Sequence, residues 1–520
     1  KEAAGIGIGC VTEQIRRGRE MNRRKRLLSF FLCLSLCFFI GCGKNANDEE
    51  TETGSEAYTE WKENRETEYD MENQQNQETE PANITEEQET ETKTMQRPLS
   101  ETTEADTSGP DSVPDPEAGQ TAENTETEEE IPGETVEQGT EADILLTQEE
   151  IKERNRISFG TPGNGMVDLE TFSPQTAEEI RAMVEEYSIP NYPYYDGRPR
   201  TGEDDAQLLA SRNLEQITDP VHLRYGILTK NAAVRSFPTE KTMTKEGKPD
   251  DFDYLQESMF SIGEGVTVCH QTADQSYSFV QGYQYKGWIP TDAIGFCSKE
   301  EMMGWLRMDP PVVITDAAVT VHDVNLRMGT ALPAQEETES GYQVRFPMRR
   351  EDGSLTSVTE EIPKTAASLG YLAYTKDALL NQAYQLIGQP YGWGDTDEKM
   401  DCSSTMNSIF KTFGIQMPRN TSQLTLFSAK VTDLSAMSAE EKEAAIREAG
   451  SGSMILLPGH VVMYVGETDG VPQILHNVTA YSLDGGALET AMECRVTPLA
   501  IYNTGGIRYL ELFTAIVEIE

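Results

Sequence analysis

Between Asp48 and Glu150 the chain carries 34 Asp and Glu residues against 4 Lys and Arg, and apolar residues there almost never stand together. A stretch of that composition cannot bury enough surface to offset the entropy lost on ordering. Residues 43–147 are therefore expected to form a disordered acidic linker. An acidic interaction tail is the alternative reading of the same charge. The foldable part must then lie after the linker. With 520 residues, the chain exceeds what one core usually serves, so several domains are expected. Much of the formal charge of −46 sits in the linker, but residues 151–520 still hold 52 acidic against 30 basic side chains, which disfavours nucleic acid as a partner.

Ahead of the linker, from Met21, the sequence reads MNRRKRLLSFFLCLSLCFFIGC, a basic stretch and then an apolar run from Leu27 to Ile40. At 14 residues the run is short for a membrane span and suits a signal peptide. Its ending, FIGC, resembles a bacterial lipoprotein signal. The resemblance implies a signal peptide at 21–42, lipidation of Cys42, and a membrane anchor on the outer face of a bacterial cytoplasmic membrane, facing the wall. An uncleaved anchor is the alternative. Residues 1–20 precede this start and read as an extension of the gene model. Of the eight cysteines, only Cys269, Cys297, Cys402 and Cys494 fall after the linker, and no pair has metal-ligand spacing. Cys269 and Cys297 share one expected β-domain and read as core residues, with a bond between them left open.

Residues 148–220 read as mostly helical, with SPQTAEEIRAMVEEYSIP opening on Ser, carrying acids in its first turn and stopping at Pro. Short Val- and aromatic-rich runs punctuated by Gly, Asp and Asn follow, and two small β-barrels fit at 221–300 and 301–372. A hairpin is expected over 341–363 with Asp352-Gly353 as its turn. RYGILTKNAAVRSFPT with YKGWIPTDAIG resembles one type of bacterial SH3-like domain, and VVITDAAVTVHDVNLRMGTALP a second type. Trp288 reads as barrel core, the alternative being a place beside a neighbouring active site.

From residue 376 the pattern is α then β. In KMDCSSTMNSIFKTFG, apolar Met406, Ile409, Phe410 and Phe413 recur at helical spacing, Gly414 ends the run, and Cys402 sits where the helix begins. A charged helix near 438–449 and three strand-like runs at 453–457, 460–466 and 472–478 complete an antiparallel meander. Two of the chain's five histidines lie there: His460 opens the second run and His476 ends the third. Neighbouring antiparallel strands can bring such positions together at one end of the sheet. A Cys at a helix N-terminus packed on that end would supply a nucleophile, with an imidazole as base and a third group fixing its tautomer. Taken singly, each of the three also fits a structural role.

PYGWG, DCSSTMNSIFKTFGIQMPRNTSQ, GSMILLPGHVVMYVG and QILHN together resemble the NlpC family of bacterial cell-wall cysteine peptidases. The family implies a multidomain α+β chain: a papain-like NlpC catalytic domain at 373–520, preceded by two small SH3-like β-barrels and a short helical segment. Residue by residue, it implies Cys402 as nucleophile, His460 as base and His476 as orienter. Where many relatives have D-C-S-G, this chain has Ser404 in the last place. The resemblance implies a monomeric, cofactor-free hydrolase acting on peptidoglycan stem peptides at the bond between γ-D-glutamate and the diamino acid. A non-catalytic wall-binding lipoprotein and a papain-like amidase or acyltransferase are the alternatives. Asp401 and Ser403 flank the nucleophile and can border the acyl side of the substrate, Asp401 pairing with the ammonium of a free N-terminal L-alanine. The other reading of Asp401 is a plain helix cap. Tyr391 matches a position that helps cradle this end, and Tyr285 or Glu257 of the first SH3-like domain could wall off the cleft beyond the alanine.

Overall fold

The computed structural model describes residues 143–248 and 252–520. The expected signal peptide, Cys42 and all but the last residues of the expected acidic linker lie outside the described residues. The helical segment comprises Gln148–Phe159, Ala177–Glu185 and Gly202–Ser211. Each helix opens on a threonine whose hydroxyl accepts from the backbone three residues on while an acid at that position reaches back: Thr147 with Glu150, Thr176 with Glu179, and Thr201 with Asp204. These reciprocal caps satisfy donors that a helix start leaves orphaned. The second helix thus starts at Thr176, three residues past the serine that the sequence pattern suggested.

Seven antiparallel strands between Arg224 and Cys297 form the first β-sheet, in the order Ile294–Cys297, Arg224–Leu228, Gly265–Gln271, Tyr277–Gln281, Lys286–Pro290, Ala232–Arg235, Gln256–Phe260. Trp288 is fully buried, packed with Phe279, Cys269 and Ile180, so it belongs to the core between this sheet and the helical segment. Cys269 and Cys297 are both free thiols. A helix, Lys299–Leu306, follows between the two β-regions, in a stretch to which the sequence reading assigned no element. Ser298 and Glu301 cap it, and Met302 and Trp305 sit under the second sheet. That sheet has five strands, with Leu355–Pro363, Gly341–Arg349, Ala331–Glu337, Pro311–Ile314 and Ala367–Leu369 in order, beside a separate hairpin, Ala318–Val321 with Val324–Arg327. The expected turn at Gly353 is present, with φ at +86°.

The C-terminal sheet has six antiparallel strands in the order Lys430–Asp433, Ala515–Glu518, Met454–Leu457, His460–Thr468, Val471–Tyr481, Glu489–Pro498. Its central strands are apolar at consecutive positions because both faces are covered. Met454, Leu456, Val461, Met463 and Leu475 pack into the core that holds the helix Cys402–Lys411. Ile455, Leu457, Val462, Tyr464 and Ile474 turn the other way, into a core closed by the helices Ala439–Ala449 and Tyr509–Leu512. Period-two alternation thus serves two cores rather than one core and solvent. The Cys402 helix, read as amphipathic, is buried on its polar side too, with Ser403, Ser404, Thr405, Asn407 and Ser408 all inaccessible. Hydrogen bonds satisfy part of that side: Asn407 Nδ2 donates to the carbonyls of Ser403 and Pro418, and Asn477 Nδ2 donates to Thr405 Oγ1, while the Oδ1 atoms of both asparagines are buried without a partner.

Candidate active site

Asp401 is the N-cap of the helix Cys402–Lys411, its carboxylate accepting from the Ser404 N–H at 2.9 Å. Cys402 therefore occupies the first helical position and is 7 % exposed. On the sheet, Leu457 pairs with His460 across the Pro458-Gly459 turn, and Gly459 takes a φ of +68° that favours glycine. Met463 pairs with Leu475 on the next strand, a register that sets His460 and His476 diagonally on one face. His460 Nε2 lies 3.0 Å from His476 Nδ1, and His476 Nε2 lies 3.1 Å from Thr497 Oγ1. Tyr509 stands edge-on to both rings, with centroids 6.1 Å from His460 and 5.9 Å from His476. Cys402 Sγ approaches the carbonyl of Gly459, beside His460, at 4.0 Å.

Burial sets the protonation of the resting site. It pushes the Cys402 thiol up to about 12, helped by the Asp401 charge and opposed by the Val461 N–H and the Thr421 hydroxyl. Burial also pulls His460 down to about 4, against the pull of Asp401. His476 is held well below the usual imidazole range by burial, then by His460 and Arg495. The helix N-terminus expected to favour a thiolate thus faces a larger desolvation cost, and the resting pair is a neutral thiol and a neutral imidazole.

The Asp401 carboxylate is occupied beyond its cap. It accepts from Ser403 Oγ at 3.1 Å, and Arg419 donates to it through Nη2 at 2.6 Å and Nη1 at 3.2 Å. Burial opposes ionisation, yet the Arg419 charge keeps the Asp401 carboxyl below its usual range. Arg419 also donates Nη1 to Ser403 Oγ and Nε to Ser258 Oγ, each at 2.7 Å, tying the site to the first sheet. Asp395, 1 % exposed, lies 3.6 Å from Arg419 and 3.1 Å from Arg327 of the second β-region. Four buried charges, Arg327, Asp395, Arg419 and Asp401, therefore join the second β-region to the start of the Cys402 helix, and Ser258 adds the first sheet through Arg419.

Of the substrate-side residues named from sequence, Ser403 lies within this network, so Asp401 and Ser403 are both structural supports of the helix start. Tyr285 donates its hydroxyl to Glu257 at 2.7 Å, and its position adds to the field at Arg419. Tyr391 is buried beside Phe252, with centroids 5.8 Å apart. Trp393 stacks on the same Phe252 at 6.2 Å. The neighbouring Gly394 has φ +57°, and a Cβ there would sit 2.7 Å from the carbonyl oxygen of Gln256, so this turn docks on the first sheet only with glycine. The geometry thus gathers Cys402, His460 and His476, and sets Asp401, Ser403, Tyr285, Glu257 and Tyr391 around the contact with the first sheet. Sequence reasoning did not single out Arg419, Asp395, Arg327 or Thr497. Arg419 does sit in the quoted PRNTSQ stretch, but its partners are remote in sequence. Among the described residues, no three His, Cys, Asp or Glu side chains gather as a metal site.

Residues 388–495 match the family model described as NlpC/P60 family, and residues 241–290 match that of an SH3 domain of SH3b1 type. Among solved structures, an NlpC/P60 endopeptidase from Photobacterium damselae subsp. piscicida is similar at 18 % identity and a TM-score of 0.59, over 75 % of this chain and 98 % of that one. An NlpC/P60 family protein from Bacillus cereus ATCC 10987 aligns at 18 % identity and a TM-score of 0.39, over 57 % of this chain and 98 % of that one. No curated protein matches. The fold is a multidomain α+β assembly in which an SH3b domain precedes a papain-like NlpC/P60 domain.

Proposed function

We propose that this chain is a cysteine endopeptidase that hydrolyses peptidoglycan stem peptides between γ-D-glutamate and the diamino acid. The observation that carries the reading is the juxtaposition at the sheet's end: Cys402 opens a buried helix beside the turn that leads into His460, and His460 is hydrogen-bonded to His476. The NlpC/P60 match over 388–495 includes all three residues.

In this mechanism substrate binding displaces water and brings the scissile carbonyl to Cys402. Because the resting pair is neutral, the thiol proton passes to the free nitrogen of His460, Nδ1, as sulfur attacks. The backbone N–H of Cys402, at the helix start, stabilises the oxyanion. His460 then gives its proton to the departing amine of the diamino acid. Water, activated by the same imidazole, releases the γ-D-glutamyl thioester and restores the thiol.

The acyl side of the substrate lies toward the first sheet. There Glu257, positioned by Tyr285, and Asp401, whose charge is shared with Arg419, would meet the ammonium of a free L-alanine. Ser403 and Tyr391 border that end. In this reading the β-region at 301–372 is a second SH3-like domain, and the protein is a lipoprotein tethered through Cys42.

Mass analysis of products from L-Ala-γ-D-Glu-diamino acid peptides, with Cys402→Ala as control, tests the reaction. Release of the free diamino acid by the native chain alone is expected. With the same peptides still attached to muramic acid, a cut before L-alanine would make it an amidase, and no cut of either substrate would leave a wall-binding role. Labelled fatty acid should enter at Cys42 and not in Cys42→Ser. Membrane attachment of Cys42→Ser with its apolar run uncut would show an uncleaved anchor instead.

A further inference from the structure

We propose that the Thr497 hydroxyl is a positioning residue of this site, which accepts a hydrogen bond from His476 Nε2 and thereby fixes the tautomer of both histidines. The inference rests on the peptidase reading and adds a fourth member to its relay. His460 Nε2 faces His476 Nδ1 at 3.0 Å, and His476 Nε2 faces Thr497 Oγ1 at 3.1 Å. Thr497 is 2 % exposed and His476 is fully buried, so the protein must satisfy these ring nitrogens itself.

Two protonation states of His460 do work in the reaction. As a base it is neutral with its lone pair on Nδ1, and after taking the thiol proton it is an imidazolium. Both states carry a proton on Nε2. Both therefore need His476 Nδ1 as an acceptor, which leaves the single proton of a neutral His476 on Nε2, opposite Thr497. A hydroxyl can accept there. With a methyl in its place, the buried N–H has no partner, and the proton does better on Nδ1, pointing at His460. His460 then holds its own proton on Nδ1 and cannot take one from Cys402. Thr497 reaches this position because it lies on the strand Glu489–Pro498, paired in register with Ile474 two residues before His476.

Two-bond 15N–1H spectra of the histidine-labelled chain, assigned with His460→Asn and His476→Asn, read the protonated nitrogen on each ring without any substrate. The native protein at neutral pH is expected to show Nε2–H on both rings, and Thr497→Val a shift of His476 toward Nδ1–H. With stem peptide, Thr497→Val should lower kcat/KM about five- to tenfold, the worth of one neutral hydrogen bond, and Thr497→Ser should restore it. In a His476→Asn background the Asn Oδ1 accepts from His460 unaided, so adding Thr497→Val should cost less than about twofold. Nδ1–H on His460 in the native protein, a Thr497→Val enzyme as fast as the parent, or a loss that Ser fails to restore would overturn the proposal. Absence of stem-peptide cleavage by the parent would fail the peptidase reading alone, since the tautomers are read independently of turnover.

Discussion

Arg419 holds Asp401 through Nη2 at 2.6 Å and, through Nε, reaches Ser258 of the first β-sheet at 2.7 Å. One side chain thus fixes both the cap of the Cys402 helix and the neighbouring sheet. Arg419→Met would leave the Asp401 carboxylate buried without its cation, a defect that costs about 3–5 kcal/mol. Denaturant unfolding should show that loss. Arg419→Lys keeps the charge but not the fork of donors, so it should lose less. Stability of Arg419→Met within about 1 kcal/mol of the parent would show that the carboxylate finds another partner.

The two histidines should differ in what they tolerate. His460→Ala removes the proposed proton carrier and should abolish turnover as completely as Cys402→Ala. His476→Asn leaves an acceptor for His460 Nε2 and should keep measurable activity, whereas His476→Leu should not. Steady-state rates on one stem peptide decide the matter, and equal loss in both His476 variants would give that ring another role.

Glu257 is the cleaner test of ammonium recognition, since it sits outside the helix cap. Glu257→Gln should raise KM for peptides with a free N-terminal L-alanine about ten- to a hundredfold, the range of one shielded charge-assisted bond, and alter kcat little. Peptides whose alanine is acylated should react poorly with both enzymes. Equal KM values for parent and variant would remove Glu257 from the site.

Acid should weaken the fold before its carboxylates titrate. The His460 pKa falls from 6.5 to about 4 on folding, so the unfolded chain binds the proton first as pH drops. The stability from the neutral ring is fully present above pH 6.5 and is lost between there and about 4. For His460 alone the loss is about 2 kcal/mol by pH 5, and His476 acts in the same direction. Unfolding free energies at pH 7 and 5 should differ accordingly in the parent and much less in a His460→Gln, His476→Gln double variant.

The local half of this architecture was legible in the chain. Met406, Ile409, Phe410 and Phe413 mark a helix by spacing alone, and Pro458-Gly459 marks the turn that places His460. The helix Lys299–Leu306 carried a readable signal, Ser298 with Glu301 three residues on, but it lay inside a stretch dominated by β-texture. Arg327 and Asp395 are 68 residues apart, and Ser258 and Arg419 are 161 apart. No periodicity relates such pairs, so their meeting is fixed by how three regions dock rather than by local propensity. Asp401 shows the difference most directly: its place at the helix start made it legible as a cap, whereas its pairing with Arg419 was not legible from local sequence.

The charge network also limits how the catalytic segment could be exchanged between proteins. A fragment starting at residue 373 would keep Asp395 and Arg419 but lose Arg327 and Ser258, and Gly394 would lose the Gln256 carbonyl it packs against. Recombination that grafted this segment alone would expose an acidic, half-neutralised seam next to the nucleophile. The unit that keeps this network whole therefore runs back through both β-regions, and shuffling should preserve the fold around Cys402 only when the three travel together.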